Sequence, residues 1–556
     1  MSRRKIPLLE RIEATIEDLL RIKERLDTIP QLGDDARILK ATIDTMIVFK
    51  QFVEEKIISF RRFKQMLFGS STEKTRNVLK PDKKGTEEQT GEPEGESRES
   101  ESRRIGDTPV SQDQENKTCK GHGRNGADKY TGAQRIRVPH ETLKHGDRCP
   151  ECEKGIVYNK KIPGTILHLV GQPPVGAIVY EQEKLRCNLC GETFAAELPE
   201  QAKEKYDETA ASMIGLVKYG CGFPFNRLEK LQENLGIPLP ASTQWDIEEK
   251  AGNKIYPGFE ELKRQGAQAD IVYNDDTTMK ILDLMRENAQ RESNDDKNSS
   301  RTGMFTTGVI AEKDGRKIAL FFTGRNHAGE NLEELLKHRM PDRGPPIQMC
   351  DAASKNAPTE FQVILSNCNT HARRKFVDIA WCFPDECAYV IETYKKVYTN
   401  DALTKEQLMS PEARLQFHQM MNKPLMDELE TWLHEQIDKK KVEPNSSLGE
   451  SIRYMIKHWN ALTQFLRVPN APLDSNVVER ALKIAIINRK NAYFYRTEHG
   501  AYIGDMFMSL IHTCNLNGVN PFDYLTHLQR HAAELKKDPA AWMPWSYQQT
   551  LQALAA

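Results

Sequence analysis

The chain has 556 residues, enough for several domains at roughly 150 residues each. Its formal net charge of −1 excludes a globally basic nucleic-acid binder, so any DNA contact has to come from local basic patches. No run approaches the ~18 apolar residues of a membrane span, and the basic start Met1-Ser-Arg-Arg-Lys leads into an amphipathic stretch rather than an apolar signal core; a cytoplasmic protein with no membrane partner is expected.

Residues 1–76 predict a helical, coiled-coil region. Ile12, Ile16, Leu19 and Leu26 share one stripe, and Leu39, Ile43, Met46, Val53, Ile57 and Phe60 follow heptad-like steps. The two helices, broken near Ile29-Pro-Gln-Leu-Gly33, either fold on one another as a hairpin or pair with a second copy, which makes a homodimer or higher oligomer an expected state. Residues 77–118 have no aromatic side chain and include Glu94-Gly-Glu-Ser-Arg-Glu-Ser-Glu-Ser102. So little apolar surface cannot offset the entropy of ordering, and a disordered linker is expected.

Residues 119–200 carry Cys149-Pro-Glu-Cys152 and Cys187-Asn-Leu-Cys190, separated by 34 residues. Two such turns supply four thiolates for a tetrahedral Zn²⁺ site with no open position, hence a structural one. Gly155 and Gly191 suit the tight turns, and strands at Thr165-Ile-Leu-His-Leu-Val170 and Ala177-Ile-Val-Tyr180 would bring the two halves together. Redox-active cysteine pairs are the alternative, and Cys119 and His122 read as bystanders. Residues 201–266 are helical. Asn226-Arg-Leu-Glu-Lys-Leu-Gln-Glu-Asn-Leu-Gly236 followed by Ser242-Thr-Gln-Trp-Asp-Ile247 fits a helix-turn-helix, and equally an ordinary helical hairpin.

Residues 267–387 turn to α/β texture, completing a multidomain α+β chain. Ile271-Val-Tyr273, Met304-Phe-Thr-Thr-Gly-Val-Ile310 and Lys317-Ile-Ala-Leu-Phe-Phe322 predict three strands, then come a helix near 331–338 and a short strand at Ile347-Gln-Met-Cys350. Residues 388–466 read as a helical insertion, because an amphipathic helix within 467–500 is needed to finish the α/β unit; residues 501–556 form a C-terminal helical region.

Three acidic segments carry the candidate chemistry. Asp275 or Asp276 ends the first strand, and only one of the two can face a cleft because strand side chains alternate. Asp351 follows the fourth strand, where open α/β sheets usually bind ligands. Glu479 lies in the first turns of the late helix, on a face with Asn476, Lys483 and Lys490, while Val478, Leu482 and Ala485 line the buried face. Such carboxylates either hold two Mg²⁺ (or Mn²⁺) ions for in-line phosphoryl transfer or serve as caps and solvated loop residues.

The order of motifs resembles the insertion-sequence 66 family of DDE transposases along nearly the whole chain. Met66-Leu-Phe-Gly-Ser-Ser-Thr-Glu-Lys74, the two Cys-x-x-Cys pairs, Asn274-Asp-Asp-Thr277, Asp351, Cys368-Asn-Thr-His-Ala-Arg-Arg-Lys-Phe376, Asp474-Ser-Asn-Val-Val-Glu-Arg480, Asn488-Arg-Lys-Asn491 and Leu516-Asn-Gly-Val-Asn-Pro-Phe-Asp-Tyr-Leu525 are each similar to a family pattern. Asp276 stands where Glu is usual, and Ser475 replaces the first Asn of a pair.

The resemblance implies an RNase H-like catalytic core in which Asp275, Asp351 and Glu479 bind the catalytic metals. It implies Mg²⁺-dependent cleavage at terminal inverted repeats and joining of the 3′-OH ends to target DNA. Double-stranded DNA is the implied partner, with association to the nucleoid and companion proteins of the same element. His371, Arg373, Arg374, Lys375, Lys483, Arg489 and Lys490 are the candidate phosphate contacts, or else a solvated basic surface. A DNA-binding regulator without catalysis, a coiled-coil scaffold and an RNase H-like nuclease that does not join strands are the competing classes.

Overall fold

A computed structural model of the chain describes residues 21–23, 25–26, 39–43, 142–152, 154–157, 172–186, 193–200, 204–293 and 301–555. Short helical pieces occur at 21–23 and 39–43; the rest of the expected coiled-coil region, the 77–118 linker, Cys119, His122, the strand expected at 165–170, Cys187 and Cys190 lie outside the described residues. The chain divides into two compact units, one holding Phe225–Ile247 and the other Gly215–Pro224 with Glu248–Ala556.

In the smaller unit the first Cys-x-x-Cys closes a tight turn. Arg148 and Ile156 form an antiparallel bridge, the Gly146 N–H donates to the Val157 carbonyl at 3.0 Å, and the Cys149 N–H donates to that of Gly155 at 2.8 Å. Strands β1 (Lys184–Arg186) and β2 (Thr193–Ala195) pair antiparallel on either side of the second Cys-x-x-Cys in sequence. Residues 177–180, expected as a strand, have no ladder partner among the described residues, and Ile178 and Val179 are 78% and 84% exposed. β-Branched side chains favour a strand only where a neighbour covers them, and none of the described residues does so here.

Helix α1 (Glu208–Gly215) leads through a π-helical turn, Leu216–Gly220, to α2 (Phe225–Asn234) and α3 (Ala241–Gly266). Gly236, at φ 74°, reverses the chain after α2. The Gln244 amide donates to the carbonyls of Phe225 at 3.1 Å and Leu239 at 2.8 Å, closing the turn between the two helices.

The larger unit is built on five strands: β3 (Ile271–Thr278), β4 (Phe305–Lys313), β5 (Arg316–Gly324), β6 (Ile347–Cys350) and β7 (Ile364–Asn367), in the order β5-β4-β3-β6-β7. The first three are antiparallel neighbours, and β3, β6 and β7 run parallel. Asp314 and Gly315, at φ 51° and 74°, make the two-residue hairpin that joins β4 to β5. Six successive residues of β4 and all four of β6 are buried, as expected for strands covered on both faces. Strand β7 was not anticipated, because Ile364-Leu-Ser-Asn367 is short and half polar.

The helices follow in chain order: α4 (Leu282–Ser293), α5 (Ala328–Leu336), α6 (Asn369–Ile379), α7 (Pro384–Glu406), α8 (Pro411–Met421), α9 (Lys423–Asp438), α10 (Ser447–Leu462) and α11 (Asn476–Ala492). Helices α7–α10 cover most of the stretch expected as a helical insertion, and Met426, Leu429, Leu433, Ile452 and Met455 are buried in them. Helices α12 (Glu498–Leu516), α13 (Pro521–Arg530), α14 (Ala532–Lys537) and α15 (Tyr547–Ala555) complete the unit.

Helix α12 seals the open edge of β5. The backbone N–H groups of Lys317, Ala319, Phe321 and Thr323 donate to the side chains of Asn517, Thr513, Ser509 and Asp505 respectively. Four helical residues rise ~6 Å and two strand residues ~6.6 Å, so polar side chains every fourth position match every second strand amide. An otherwise unpaired sheet edge is thereby both satisfied and covered. Among the described residues, no helix is long and apolar enough to cross a membrane.

Candidate active site

Cross-strand pairing decides which way the acidic pair on β3 points. Asp275 lies opposite Gly308 and Asp276 opposite Thr307 on β4, and directly paired residues share a face. A Cβ built on Gly308 would meet Leu482 at 3.0 Å and Val478 at 3.3 Å, so α11 crosses the sheet at this point. Asp275 therefore shares the face of α11, the helix that carries Glu479.

Asp276 lies on the other face, with its side chain only 1% exposed. It accepts hydrogen bonds from the Thr307 hydroxyl at 2.7 Å and the Ala328 N–H at 3.1 Å, and it lies 3.0 Å from His327 Nδ1. Lys355 Nζ is 3.8 Å away. Asp276 thus ties β3 and β4 to the start of α5, and its oxygens are already engaged.

Asp351 follows β6. The parallel register sets Tyr273 beside Met349, and two residues further along both strands come Asp275 and Asp351. One Asp351 oxygen accepts the Ala353 N–H at 3.1 Å and a bond from the Asn356 amide. Asn356 belongs to a buried network: its carbonyl accepts from Asn274 at 2.7 Å and from Gln348 at 2.6 Å, and Gln348 also donates to Asn274 Oδ1 at 2.8 Å. Burial pushes the Asp275 carboxyl up to about 6, with repulsion from Asp351 and Asp276 adding to it and the Asp276 N–H and His371 opposing it.

Glu479 lies in the first turn of α11, and among the described residues it clusters with Cys368 and His371 rather than with Asp275 and Asp351. Asn369, buried at the start of α6, receives the Tyr394 hydroxyl at 3.0 Å and donates its side-chain amide to the Leu462 and Leu473 carbonyls at 3.0 and 3.1 Å. The Ser475 N–H donates to Cys368 Sγ at 3.3 Å. These bonds dock the Cys368-Asn-Thr-His371 segment against residues 473–475, leaving His371 Nε2 3.7 Å from Glu479 Oε1. The Cys368 thiol beside its ring, then the charge of Glu479, push the His371 imidazole up to about 9 against the effect of burial.

The basic residues separate into different environments. Lys483 and Lys490 are exposed on α11, and Arg373 and Arg374 are half-buried on α6. Lys375 Nζ sits 4.4 Å from the centre of the Tyr454 ring. Arg489 reaches the end of β3, donating to Thr277 Oγ1 at 3.1 Å, to Thr278 Oγ1 at 2.5 Å and to the Thr278 carbonyl. It clamps the strand that carries Asp275. Sequence reasoning gave no role to Asn356, Asn369 or Gln348; the only outward signal is that Asn369 lies inside the Cys-x-x-His segment.

In the first Cys-x-x-Cys turn, the backbone N–H groups of Gly155 and Lys154, then the Cys149 thiol, hold the Cys152 thiol below its ordinary value. The thiolate, which a lowered pKa favours, is the form that ligates metal. Cys187 and Cys190 lie outside the described residues.

Comparison with known proteins places these features in context. The model of one family, described as "Transposase IS66 family", matches residues 203–503, more than half of the chain. Three curated proteins of Sinorhizobium fredii (strain NBRC 101917 / NGR234) are also similar. The uncharacterized protein y4hP is 25% identical over 384 residues, 64% of each chain. The uncharacterized protein y4jD is 32% identical over 162 residues, 29% of this chain and 31% of that one, and the uncharacterized protein y4qI is 28% identical over 209 residues, 36% of each. The match spans less than two thirds of the length of each of these relatives.

Proposed function

The chain belongs to the IS66 family of transposases, and on that premise we propose that it cuts DNA at the terminal inverted repeats of a transposable element and joins the freed 3′-OH ends to target DNA. The observation that carries the reading is the pairing of Asp275 with Gly308 beneath α11, which turns Asp275 toward the side of Glu479 while Asp276 is consumed in holding α5. The strand order, three antiparallel strands followed by two parallel ones, supports an RNase H-like core.

Asp275, Asp351 and Glu479 are the residues that would hold Mg²⁺ or Mn²⁺. Carboxylate oxygens suit these hard cations. The fit is supported by Asp275, whose raised affinity for a proton comes partly from the nearby Asp351; a divalent cation would relieve the same repulsion. When bound, the cations supply charge neutralisation at the attacking and leaving oxygens of a phosphoryl transfer.

The protein's own part is orientation. The Ala353 N–H and the Asn356 amide fix one oxygen of Asp351 and so set the orientation of its carboxylate. Asn369 and Cys368 hold the segment that leads into α11 and so position Glu479. His371, cationic at neutral pH, favours an anionic phosphate beside Glu479. Arg373, Arg374, Lys375, Lys483 and Lys490 extend that attraction along the DNA backbone, whereas Arg489 acts through β3 rather than on DNA.

Cys149, Cys152, Cys187 and Cys190 would hold a structural Zn²⁺, and α2–α3 is read as a helix-turn-helix-like segment that contacts DNA. The active form is read as a homodimer or larger assembly on the nucleoid, working with companion proteins of the element.

A plasmid bearing the element's terminal inverted repeats tests the proposal. Mg²⁺-dependent joining to a target plasmid is expected, and it is expected to disappear with Asp351→Ala. Cleavage without joining would reassign the chain as a nuclease, and joining that survives Asp351→Ala would remove the three-carboxylate site.

A further inference from the structure

The Cys368 sulfur, one His371 ring nitrogen and one Glu479 carboxylate oxygen lie within 4.8 Å of one another. No other group of this composition occurs among the described residues. We propose that these three side chains form a second, inhibitory cation site that takes a soft divalent ion such as Zn²⁺ and withdraws Glu479 from catalysis. The inference rests on the reading of Glu479 as a carboxylate of the catalytic site.

The donor set argues for the class of ion. A thiolate, an imidazole and one carboxylate oxygen suit Zn²⁺ or Co²⁺ and do not suit Mg²⁺, which prefers oxygen ligands in an octahedron. Ligand distances of ~2.0–2.3 Å about a tetrahedral ion need the three atoms to draw together by roughly 1 Å, within reach of a side-chain adjustment.

Two further observations point the same way. His371 Nδ1 is buried and has no hydrogen-bond partner, an unusual state for a polar atom. The Ser475 N–H donates to Cys368 Sγ at 3.3 Å, which fixes the sulfur beside the start of α11. Coordination replaces the Cys368 thiol proton and one ring proton of the His371 imidazolium by the metal, and both protons are released to solvent. Cys368 caps α6 and His371 is three residues on, so both donors are held by the same helix start, while Glu479 comes from α11. The ion would bridge the two helices and draw the Glu479 carboxylate toward sulfur.

The test uses the full chain, loaded with zinc at its Cys-x-x-Cys pairs and then titrated with Co²⁺. One further equivalent with a thiolate-to-cobalt absorption band is expected in the wild type, absent in Cys368→Ser and weakened in Glu479→Gln. Because Glu479 is partly exposed on a helix, the second variant keeps the test valid if Cys368→Ser fails to fold. Alongside, Zn²⁺ is expected to inhibit Mg²⁺-dependent strand joining by the wild type, and a chelator selective for zinc to restore it. Equal cobalt uptake and equal absorption in the wild type and both variants would overturn the site. Joining is measured separately in zinc-free Mg²⁺ buffer: a chain that binds the extra cobalt but never joins DNA refutes the transposase reading instead.

Discussion

Asp505 offers the sharpest physical test of how the sheet is held. Its carboxylate is fully enclosed between α12 and β5 and accepts both the N–H and the hydroxyl of Thr323 at 2.6 Å. Burial raises its pKa from 3.8 to about 7, although both Thr323 bonds favour the charged form. Below about pH 4 the group is protonated in the folded and unfolded chains alike, and its charge costs nothing. As the pH rises toward 7, the unfolded chain ionises while the folded one keeps its proton, so stability falls; above 7 the loss is complete. At ~1.4 kcal/mol per pH unit, the interval amounts to ~4 kcal/mol. Asp505→Asn removes this slope, since Thr323 Oγ1 also pairs with Thr306 Oγ1 at 2.8 Å and can turn to accept from the new amide. Urea unfolding of both proteins between about pH 4 and pH 8 is the assay, supplemented by hydrogen exchange at the Thr323 and Phe321 amides. The wild type should lose stability relative to the variant across that interval. Parallel curves would show that Asp505 is ionised throughout and refute the reasoning.

Other substitutions separate catalysis from folding. Asp276→Asn should cost ~1–3 kcal/mol in a thermal melt, because it weakens bonds to Thr307, His327 and the start of α5; Asp275→Asn should leave the melt unchanged or raised at pH 8 and abolish strand joining. Asn356→Ala should raise the Mg²⁺ concentration needed for joining with a smaller effect on the melt, since Asn274 and Gln348 bond its main-chain carbonyl rather than its side chain. Gly308→Val should cost ~1–3 kcal/mol by pressing on Leu482 and Val478, and should reduce joining through displacement of Glu479, measured by denaturation and activity together. Cys152→Ser should lower bound zinc by one equivalent per chain in elemental analysis, and unchanged zinc would exclude the four-thiolate site.

Much of the larger unit was legible because its strands carry strong local signals. The β-branched runs at 271–273, 304–310 and 317–322 fall in β3, β4 and β5, and Ile347–Cys350 has the same bounds as β6. Strand β7 was not legible, since a four-residue, half-polar segment gains its pairing only from β6. The same local signal misled at 177–180, where Ile178 and Val179 stay exposed and no described strand pairs with them. The choice between Asp275 and Asp276 depended on a pairing partner in β4, thirty or so positions away in sequence, and alternation alone left it open. The amide network around Asp351 and the α12 ladder along β5 are likewise contacts between distant segments. Asp505, Ser509, Thr513 and Asn517 recur every fourth residue, yet nothing local announces that their partner is a strand edge.

The central claim is that Asp275, Asp351 and Glu479 act together on divalent cations, and the direct measurement is anomalous diffraction from crystals of the chain with its end DNA and Mn²⁺. Two Mn²⁺ peaks ~3.5–4 Å apart, contacted by those three carboxylates and not by Asp276, are predicted. Manganese bound at Asp276, or absent from all three side chains with DNA in place, would contradict the account.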